Sequence, residues 1–428
     1  MRVTIRRGTT RRGVSTKFQA SLPKSEPTPT VEKIHPDNLP DADEGHLSSA
    51  LTALVDRSAT HPDVSQNIHT PMHCIPRIEW IHSLVPGLEE LSATYHIGNF
   101  VLVRETEEMQ FEHMPIYARV GMHLVFYGYG RARVLGTRRV EDLLRKESIR
   151  QGRIYDSSQS AHSIPSFVKT YNLTTEELLE PDLSKYACFN EFFSRKLKAD
   201  ARAVADAEDP FGVCSAADSR LTVYPSVDSA TKFWIKGRQF TIPALLGVAS
   251  SSMEAETFEG ASLAIFRLAP ADYHRFHAPL ACETINGPVD LPGQYYTVNP
   301  QAVNEPGFDV FTANRRSILY LKHAQTGRAV AVVAIGALLV GSVCWTGGAK
   351  KGTKLERGDE LGYFAYGGST VVVLFSKAVV EFDEDLIRNS MKPIETLVKV
   401  RNRILRFLTF MHRHRRLAIQ SGGFPSKK

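Results

Sequence analysis

The sequence predicts an α+β protein in which a helical N-terminal region packs on a β-rich core. Between residues 76 and 205, apolar residues recur at helical spacing, as in Ile81, Leu84 and Leu88. From residue 206 to 390 the pattern changes to short runs rich in β-branched residues, which are typical of strands. These runs are separated by Gly, Pro and Asn, and they read RLTVYP, SLAIFRL, SILYLKH, RAVAVVAIG and STVVVLF.

Residues 1–75 are polar, rich in Pro, Ser and Thr, and without hydrophobic periodicity. Such a composition predicts a disordered segment. The opening is also rich in Arg, Ser and Thr and poor in acidic residues, which is typical of a transit peptide. The sequence therefore leaves two interpretations of this segment, a disordered arm and a targeting segment. No apolar stretch follows the basic start, so we do not expect a secretory signal.

Three features of the helical region predict individual helices. Val140, Leu143 and Leu144 follow helical spacing. Residues 174–177, TTEE, stand ahead of two leucines in the pattern of a capping box. Asn190 is placed to cap a helix that runs through FNEFFSRKL.

Residues 391–428 predict a return to helix, followed by a basic tail. Pro393 suits the first helical turn, and apolar residues from Ile394 to Met411 form a stripe that most of the basic residues avoid. A basic amphipathic helix of this kind can lie on a membrane surface. Alternatively its first turns dock on the core, and docking is favoured for residues 391–405.

The longest apolar run, from Ala329 to Trp345, contains no charged residue. It is slightly shorter than the roughly 20 residues of a membrane-spanning helix and is rich in Val and Gly. We therefore predict two buried strands joined at Gly336 and no transmembrane helix.

Positive charge is concentrated at the two ends of the chain. Residues 1–25 carry seven basic residues and residues 396–428 carry nine, with no acidic residue in either segment. Since the whole chain has a net charge of +6, the residues between sum to −10. An acidic body disfavours nucleic acid as a partner, whereas an anionic membrane attracts basic segments by about 1 kcal/mol per residue. We expect peripheral binding to an anionic membrane and no nucleic acid.

The five cysteines are scattered along the chain and form no CxxC pair. Their odd number argues against a disulfide framework or a structural zinc site and indicates a reducing, intracellular compartment. The organelle, mitochondrial or endomembrane, is left open. The sequence also lacks an HExxH helix, a Walker A loop, a dinucleotide-binding glycine motif and an EF-hand loop, so we expect no metal site.

Three short stretches carry residues that are suited to catalysis. In YFAYGGSTVVVLF, residues 367–370 interrupt a strand pattern with two glycines beside Ser369. In RLAPADYHRFHAP, His274 and His277 are three residues apart, so on a helical turn they would face one pocket. In CSAADSRLTVY, Asp218 comes just before a predicted strand. Taken singly, each of these residues is also typical of a turn or of packing.

Taken together, these stretches resemble the phosphatidylserine decarboxylase family of self-cleaving, pyruvoyl-dependent enzymes. The resemblance covers roughly residues 76–400, and GGST at residues 367–370 is similar to the eukaryotic, non-mitochondrial type. It implies that the β-rich region is a compact decarboxylase core, a sheet with helices around it. The other matching segments are FNEFFSRKLKADARAV, WIKGRQFTIPALLG, GQYYTVNPQAVN, NRRSILYL, VAIGALLVGSV, KLERGDELGYF and DLIRNS.

The resemblance also assigns roles to single residues. Ser369 is the nucleophile, His277 its base, and Asp218 the acid that orients the imidazole, which together make a self-cleavage triad. An N–O acyl shift and a β-elimination break the chain between Gly368 and Ser369 and leave a pyruvoyl group, the self-derived cofactor. That group forms a Schiff base with the substrate amine, and His274 is the proton donor after CO2 has left.

The resemblance implies a carboxy-lyase that converts phosphatidylserine to phosphatidylethanolamine and CO2. One alternative is a relative that decarboxylates a free aromatic amino acid, and another is an inactive scaffold, against which the intact catalytic residues argue. Lys236 and Arg238 are candidates for binding the substrate phosphate, although a packed strand and turn explains them equally well. We expect the two chains produced by cleavage to stay together, and an oligomer is left open.

Overall fold

The computed structural model describes residues 98–113, 138–233, 235, 240–296, 298, 303, 309–337, 342–365, 369–392 and 394–407. Within these residues the fold is α+β, as predicted. Its strands are β1 Gly98–Val103, β2 Glu108–His113, β3 Gly212–Cys214, β4 Ser219–Tyr224, β5 Ser262–Leu268, β6 Arg275–His277, β7 Cys282–Thr284, β8 Val289–Leu291, β9 Arg316–His323, β10 Ala329–Gly336, β11 Val343–Trp345, β12 Lys354–Leu355, β13 Glu360–Phe364, β14 Ser369–Phe375, β15 Val380–Phe382, β16 Glu395–Val398 and β17 Arg403–Phe407. Its α-helices are α1 Arg138–Tyr155, α2 Ile164–Thr170, α3 Phe189–Phe193, α4 Val227–Phe233, α5 Ile242–Leu246, α6 Met253–Thr257, α7 Val310–Ala313 and α8 Glu384–Ser390, with 3-10 turns at Ser158–Ser163, Leu183–Lys185 and Gly347–Ala349.

An eleven-stranded sheet forms the centre of the described structure, in the order β12-β7-β9-β10-β14-β5-β4-β16-β1-β2, with β8 also paired to β9. Its strands are antiparallel except where β1 runs parallel to β16. Two three-stranded sheets, β11-β13-β6 and β15-β17-β3, pack beside it. Strand β14 lies inside the large sheet, and each of its residues is paired with β10 on one side and β5 on the other.

The large sheet is buried on both faces. On β14, Val371, Val373 and Phe375 pack into one apolar cluster, while Val372 and Leu374 pack into a second cluster on the opposite face. Since successive side chains of a strand point to opposite faces, both faces must be apolar. This explains why STVVVLF reads as a continuous apolar run without alternation.

A third cluster, rich in aromatic residues, joins the helices to the sheet. Phe189, Phe192 and Phe193 of α3 are buried there with Tyr155 of α1. The ring of Phe193 also contacts the imidazole of His274, with 3.9 Å between the ring centroids. The helical part of the chain therefore reaches the residues that the sequence singles out.

The strands expected from the five β-rich runs are confirmed as β4, β5, β9, β10 and β14. The run from Ala329 to Trp345 forms β10, which ends at Gly336, and β11, as predicted; residues 338–341 between them lie outside the described part. Within the described residues, every helix is too short or too polar to cross a bilayer. The helix expected around Val140 is confirmed as α1.

The C-terminal helix predicted for residues 391–428 is wrong in its described part. Strand β16 pairs with β4 and β1, and strand β17 pairs with β15 and β3. These pairings satisfy the backbone groups of β-branched residues such as Thr396 and Val398, and such tertiary context outweighs a weak helical periodicity. Residues 408–428 lie outside the described residues.

Other local helix predictions are also wrong. Strands β1 and β2 lie within the region predicted to be helical, and residues 174–177 form turns next to Leu178, which bridges to Leu197. Asn190 lies inside α3, whose N-cap residue is Cys188. Residues 1–75 and the predicted helix around Ile81 lie outside the described residues, and the domain boundaries stay predictions.

Candidate active site

Three of the candidate segments meet at one end of the large sheet. Arg220 of β4 lies opposite Arg267 of β5, which in turn lies opposite Thr370 of β14. These three residues are therefore at the same level of the sheet. Strands β4 and β14 both run antiparallel to β5 and therefore start at the same end. Neighbouring strands are about 4.8 Å apart, which puts the starts of β4 and β14 roughly 10 Å from each other. Asp218 just before β4 and Ser369 at the start of β14 thus share this end with the loop that follows β5.

Ser369 is fully buried, and its Oγ atom makes no hydrogen bond to any of the described residues. By strand alternation its side chain lies on the same face as Val371, which packs in the cluster that also contains Phe276, beside His277. A buried hydroxyl without a partner costs about 1–3 kcal/mol. Such unsatisfied groups are rare, and catalytic function is one recognised reason for them.

His277 ends strand β6, so the helical turn predicted for the two histidines is wrong. The strand pairs with β13, and the backbone N–H of His277 donates to Ala216 at 2.8 Å. Its Nδ1 atom lies 2.9 Å from the carbonyl oxygen of Gly358, and its Nε2 atom lies 3.1 Å from the hydroxyl of Tyr273. A carbonyl oxygen only accepts hydrogen bonds, so Nδ1 carries the proton and Nε2 keeps the lone pair.

The electrostatic setting of His277 suits a base. Burial lowers the pKa of His277, and the positive charge of Arg401 acts in the same direction. The imidazole is therefore neutral at pH 7, and the Nε2 lone pair can accept a proton from a hydroxyl.

His274 is fully buried in the loop that joins β5 to β6. Its Nδ1 atom lies 2.8 Å from the carbonyl oxygen of Asp272, which fixes the imidazole beside Phe193. The carboxylate of Asp272 accepts a hydrogen bond from Ala269 at 2.7 Å and pairs with Arg220. The loop that presents His274 is therefore tied to both β4 and β5.

Asp218 is buried but does not hydrogen-bond to His277. Its Oδ1 atom accepts from the backbone N–H of Val400 at 2.7 Å, and its Oδ2 atom accepts from Arg202 at 2.9 Å. The structure thus places Asp218, His277 and Ser369 at one end of the sheet without hydrogen bonds between them.

Three further residues of the site escaped the sequence analysis. Arg401 donates to the carbonyl oxygen of Gly358 at 3.0 Å and to that of Arg202 at 2.8 Å. Gly358 has a φ of +91°, and a Cβ there would stand 2.8 Å from Arg401 Nε. The third residue, Tyr273, precedes His274 directly. One feature of the sequence, Gly358 in the turn ERGDE, could have indicated a special backbone conformation here, because a positive φ favours glycine.

A cavity of about 190 Å³ opens beside His277 and Tyr273. Its remaining lining mixes both signs of charge and comprises Lys196, Leu197, Lys198, Ala199, Arg202, Asp359, Glu360, Val400 and Arg401.

Comparison with known proteins identifies the family. A sequence model described as phosphatidylserine decarboxylase matches residues 189–402, which is half of the chain. The chain is also 36% identical to the phosphatidylserine decarboxylase proenzyme of Chlamydia caviae over 247 residues, which are 57% of this chain and 78% of that protein. The chain belongs to the phosphatidylserine decarboxylase family.

Longer members of the phosphatidylserine decarboxylase family are similar over a part of their length. Phosphatidylserine decarboxylase proenzyme 3 of Schizosaccharomyces pombe is 43% identical over 73% of this chain and 31% of its own length. Phosphatidylserine decarboxylase proenzyme 2 of Oryza sativa is 41% identical over 76% of this chain and 51% of its own length. The chain therefore spans from about a third to a half of these two relatives.

Some residues singled out by the resemblance to this family lie outside the described part of the structure. Gly368 is one of them, and so are the substrate-binding candidates Lys236 and Arg238. Their roles stay predictions from the sequence.

Replacing Arg401 with alanine tests the Gly358 network. Arg401→Ala removes the donor to the Arg202 carbonyl oxygen and leaves the Gly358 carbonyl oxygen with His277 as its donor, so the free energy of unfolding should fall by about 1–3 kcal/mol. Arg403→Ala is the matched control, because Arg403 is 54% exposed and makes surface ion pairs with Asp206 and Asp383. It should change the free energy of unfolding by about 0.5 kcal/mol or less. Urea denaturation measures both, and equal effects of the two variants would show that the network contributes nothing.

Proposed function

We propose that this chain is a phosphatidylserine decarboxylase proenzyme that cleaves itself between Gly368 and Ser369 and then decarboxylates phosphatidylserine to phosphatidylethanolamine and CO2. The observation that carries the proposal is the buried hydroxyl of Ser369, the first residue of the central strand β14, which has no hydrogen-bond partner in the described part of the chain. The names of the relatives, all phosphatidylserine decarboxylase proenzymes, support the same activity over that on a free amino acid.

Self-cleavage needs a base for the Ser369 hydroxyl, and His277 fits that role. With Nδ1–H held by the Gly358 carbonyl, Nε2 is the atom that accepts the proton. The Ser369 oxygen then attacks the carbonyl carbon of Gly368, the bond to the Ser369 nitrogen breaks, and His277 returns the proton to that nitrogen. β-Elimination then removes the Cα proton of residue 369 and breaks the ester C–O bond, so that residues 1–368 leave as a carboxylate. Water hydrolyses the dehydroalanine that remains, its nitrogen leaves as ammonia, and a pyruvoyl group is formed.

Asp218 supports this chemistry through the backbone and through charge. It holds the turn at Val400, and Arg401 in the same turn donates to the carbonyl oxygen that fixes His277. The sequence predicted that Asp218 contacts His277 directly. In the described structure, Asp218 is instead connected to His277 through the turn at Val400 and Arg401 and through the Gly358 carbonyl.

The site fits a pyruvoyl group derived from Ser369. Conversion removes the buried Ser369 hydroxyl, for which the described residues offer no hydrogen-bond partner, and leaves a methyl group there, while a carbonyl oxygen replaces the Ser369 nitrogen. The group supplies an electrophilic carbonyl that binds an amine covalently and accepts electrons as CO2 leaves. Within the chain, His274 holds its Nδ1–H on the Asp272 carbonyl, so its Nε2 would first take up a proton from solvent and then, as imidazolium, donate it to the substrate carbon that has lost CO2.

The two chains produced by cleavage stay together because β14 remains paired on both sides. Seven residue pairs join β14 to β10, and seven join it to β5. The ion pair between Arg267 and Glu395, with a 2.8 Å hydrogen bond, also links the two chains. We propose that this complex binds peripherally to the anionic membrane that carries its substrate, consistent with the basic ends of the sequence.

Replacing Ser369 tests self-cleavage. Ser369→Ala removes the nucleophile, so the purified variant should run as one chain on a denaturing gel, whereas the wild type runs as two. Ser376→Ala is the matched control; Ser376 follows the other end of β14 and donates to Ala329, and this variant should cleave like the wild type. Cleavage of Ser369→Ala, or a wild type that stays intact, would contradict the proposal.

Replacing His274 tests the decarboxylation step. His274→Ala should still cleave, which shows that it folds, but its CO2 release from phosphatidylserine should fall by about 10²–10⁴-fold because the proton donor is lost. His323→Gln is the control, since His323 is buried at the far end of β9, and it should retain turnover. Unchanged turnover in His274→Ala would show that another group donates the proton. Release of CO2 from free tryptophan but not from phosphatidylserine would contradict the proposed substrate.

A further inference from the structure

In the described structure, the nitrogen of His277 that we propose acts as the base is hydrogen-bonded to a residue other than Ser369. The Nε2 lone pair of His277 accepts a hydrogen bond from the Tyr273 hydroxyl, while Ser369 Oγ makes no hydrogen bond within the residues that the structure describes. We propose that Tyr273 is a positioning residue for self-cleavage, which occupies the base nitrogen of His277 in the uncleaved chain and must release it before Ser369 can react. The proposal rests on the proposed function of His277 as the base.

The direction of the Tyr273–His277 hydrogen bond follows from the groups around it. The Gly358 carbonyl at 2.9 Å requires the proton on Nδ1. Burial raises the pKa of Tyr273, so its phenol stays protonated and donates. The opposite tautomer would place the Nδ1 lone pair against the carbonyl oxygen, which is repulsive. Tyr273 is therefore the donor and Nε2 the acceptor.

The structure also provides room for the release. The cavity of about 190 Å³ is lined by both Tyr273 and His277. A rotation of the Tyr273 side chain into this cavity breaks one hydrogen bond and exposes Nε2. The proposal then requires the Ser369 hydroxyl to donate to Nε2 in place of the phenol.

The charged groups around the pair set its pH dependence. The groups that act on His277 or Tyr273 come from several elements and are Arg275, Glu360, Arg401 and Asp218. A donor to Nε2 stabilises the neutral imidazole and so lowers the pKa of His277. Removing the donor should therefore raise the pKa of His277 and shift the acid limb of self-cleavage to higher pH.

The test follows self-cleavage of newly translated chains over time at several pH values, in a cell-free system. Tyr273→Phe keeps the ring but lacks the hydroxyl, so cleavage should accelerate by about two- to tenfold, the factor expected for one hydrogen bond. Its acid limb should also move to higher pH. Tyr320→Phe, on the opposite face of the sheet, is the matched control and should behave like the wild type. An unchanged rate and acid limb in Tyr273→Phe, or slower cleavage, would overturn the proposal.

A second measurement covers the case in which Tyr273→Phe does not fold. The Ser369→Ala precursor, labelled with ¹⁵N-histidine, should show His277 as the neutral Nδ1–H tautomer, with the resonance assigned through a His277→Gln variant. An Nε2–H tautomer would overturn the proposal. The proposed function is tested separately, because it fails if the wild type does not cleave. If the wild type cleaves and Tyr273→Phe matches it, only the role of Tyr273 fails.

Discussion

Strand β14 is hydrogen-bonded to β10 and β5 along its whole length, and this pairing fixes the position of Ser369. Both faces of the strand are packed, so register slippage would expose apolar side chains or bury the wrong ones. We propose that the same pairing preserves the sheet when the chain breaks before Ser369. In the proposed mechanism, this central strand both fixes the nucleophile and holds the two chains together after cleavage.

The Gly358 carbonyl fixes the position of His277, the proposed base, as the sheet fixes the position of Ser369. It accepts from His277 Nδ1 and from Arg401, and the left-handed φ of Gly358 is needed to aim it. His277 and Gly358 come before the cleavage point and Arg401 after it. The arrangement of the base therefore depends on contacts between what we propose become two separate chains.

Much of the fold could be predicted, because runs of β-branched residues such as those of β10 and β14 encode strands locally. Strands β16 and β17 could not, because their pairing partners are distant in sequence and outweigh an apparent helical stripe. Contacts between residues that are distant in sequence also limited how much of the site could be predicted. Asp218 and Ser369 were predicted to meet and do share one end of the sheet. The bonds from Asp218 to Val400 and from His277 to Gly358 join residues 182 and 81 positions apart, and no local pattern indicates them.

The central claim is that Ser369 becomes the catalytic carbonyl. The most direct test is the intact mass of the purified protein before and after borohydride reduction. We predict two chains in one particle, and the chain that starts at position 369 should lack a free amine and gain the mass of two hydrogens on reduction. A single chain of 428 residues, or a second chain that starts with unmodified serine, would contradict the claim.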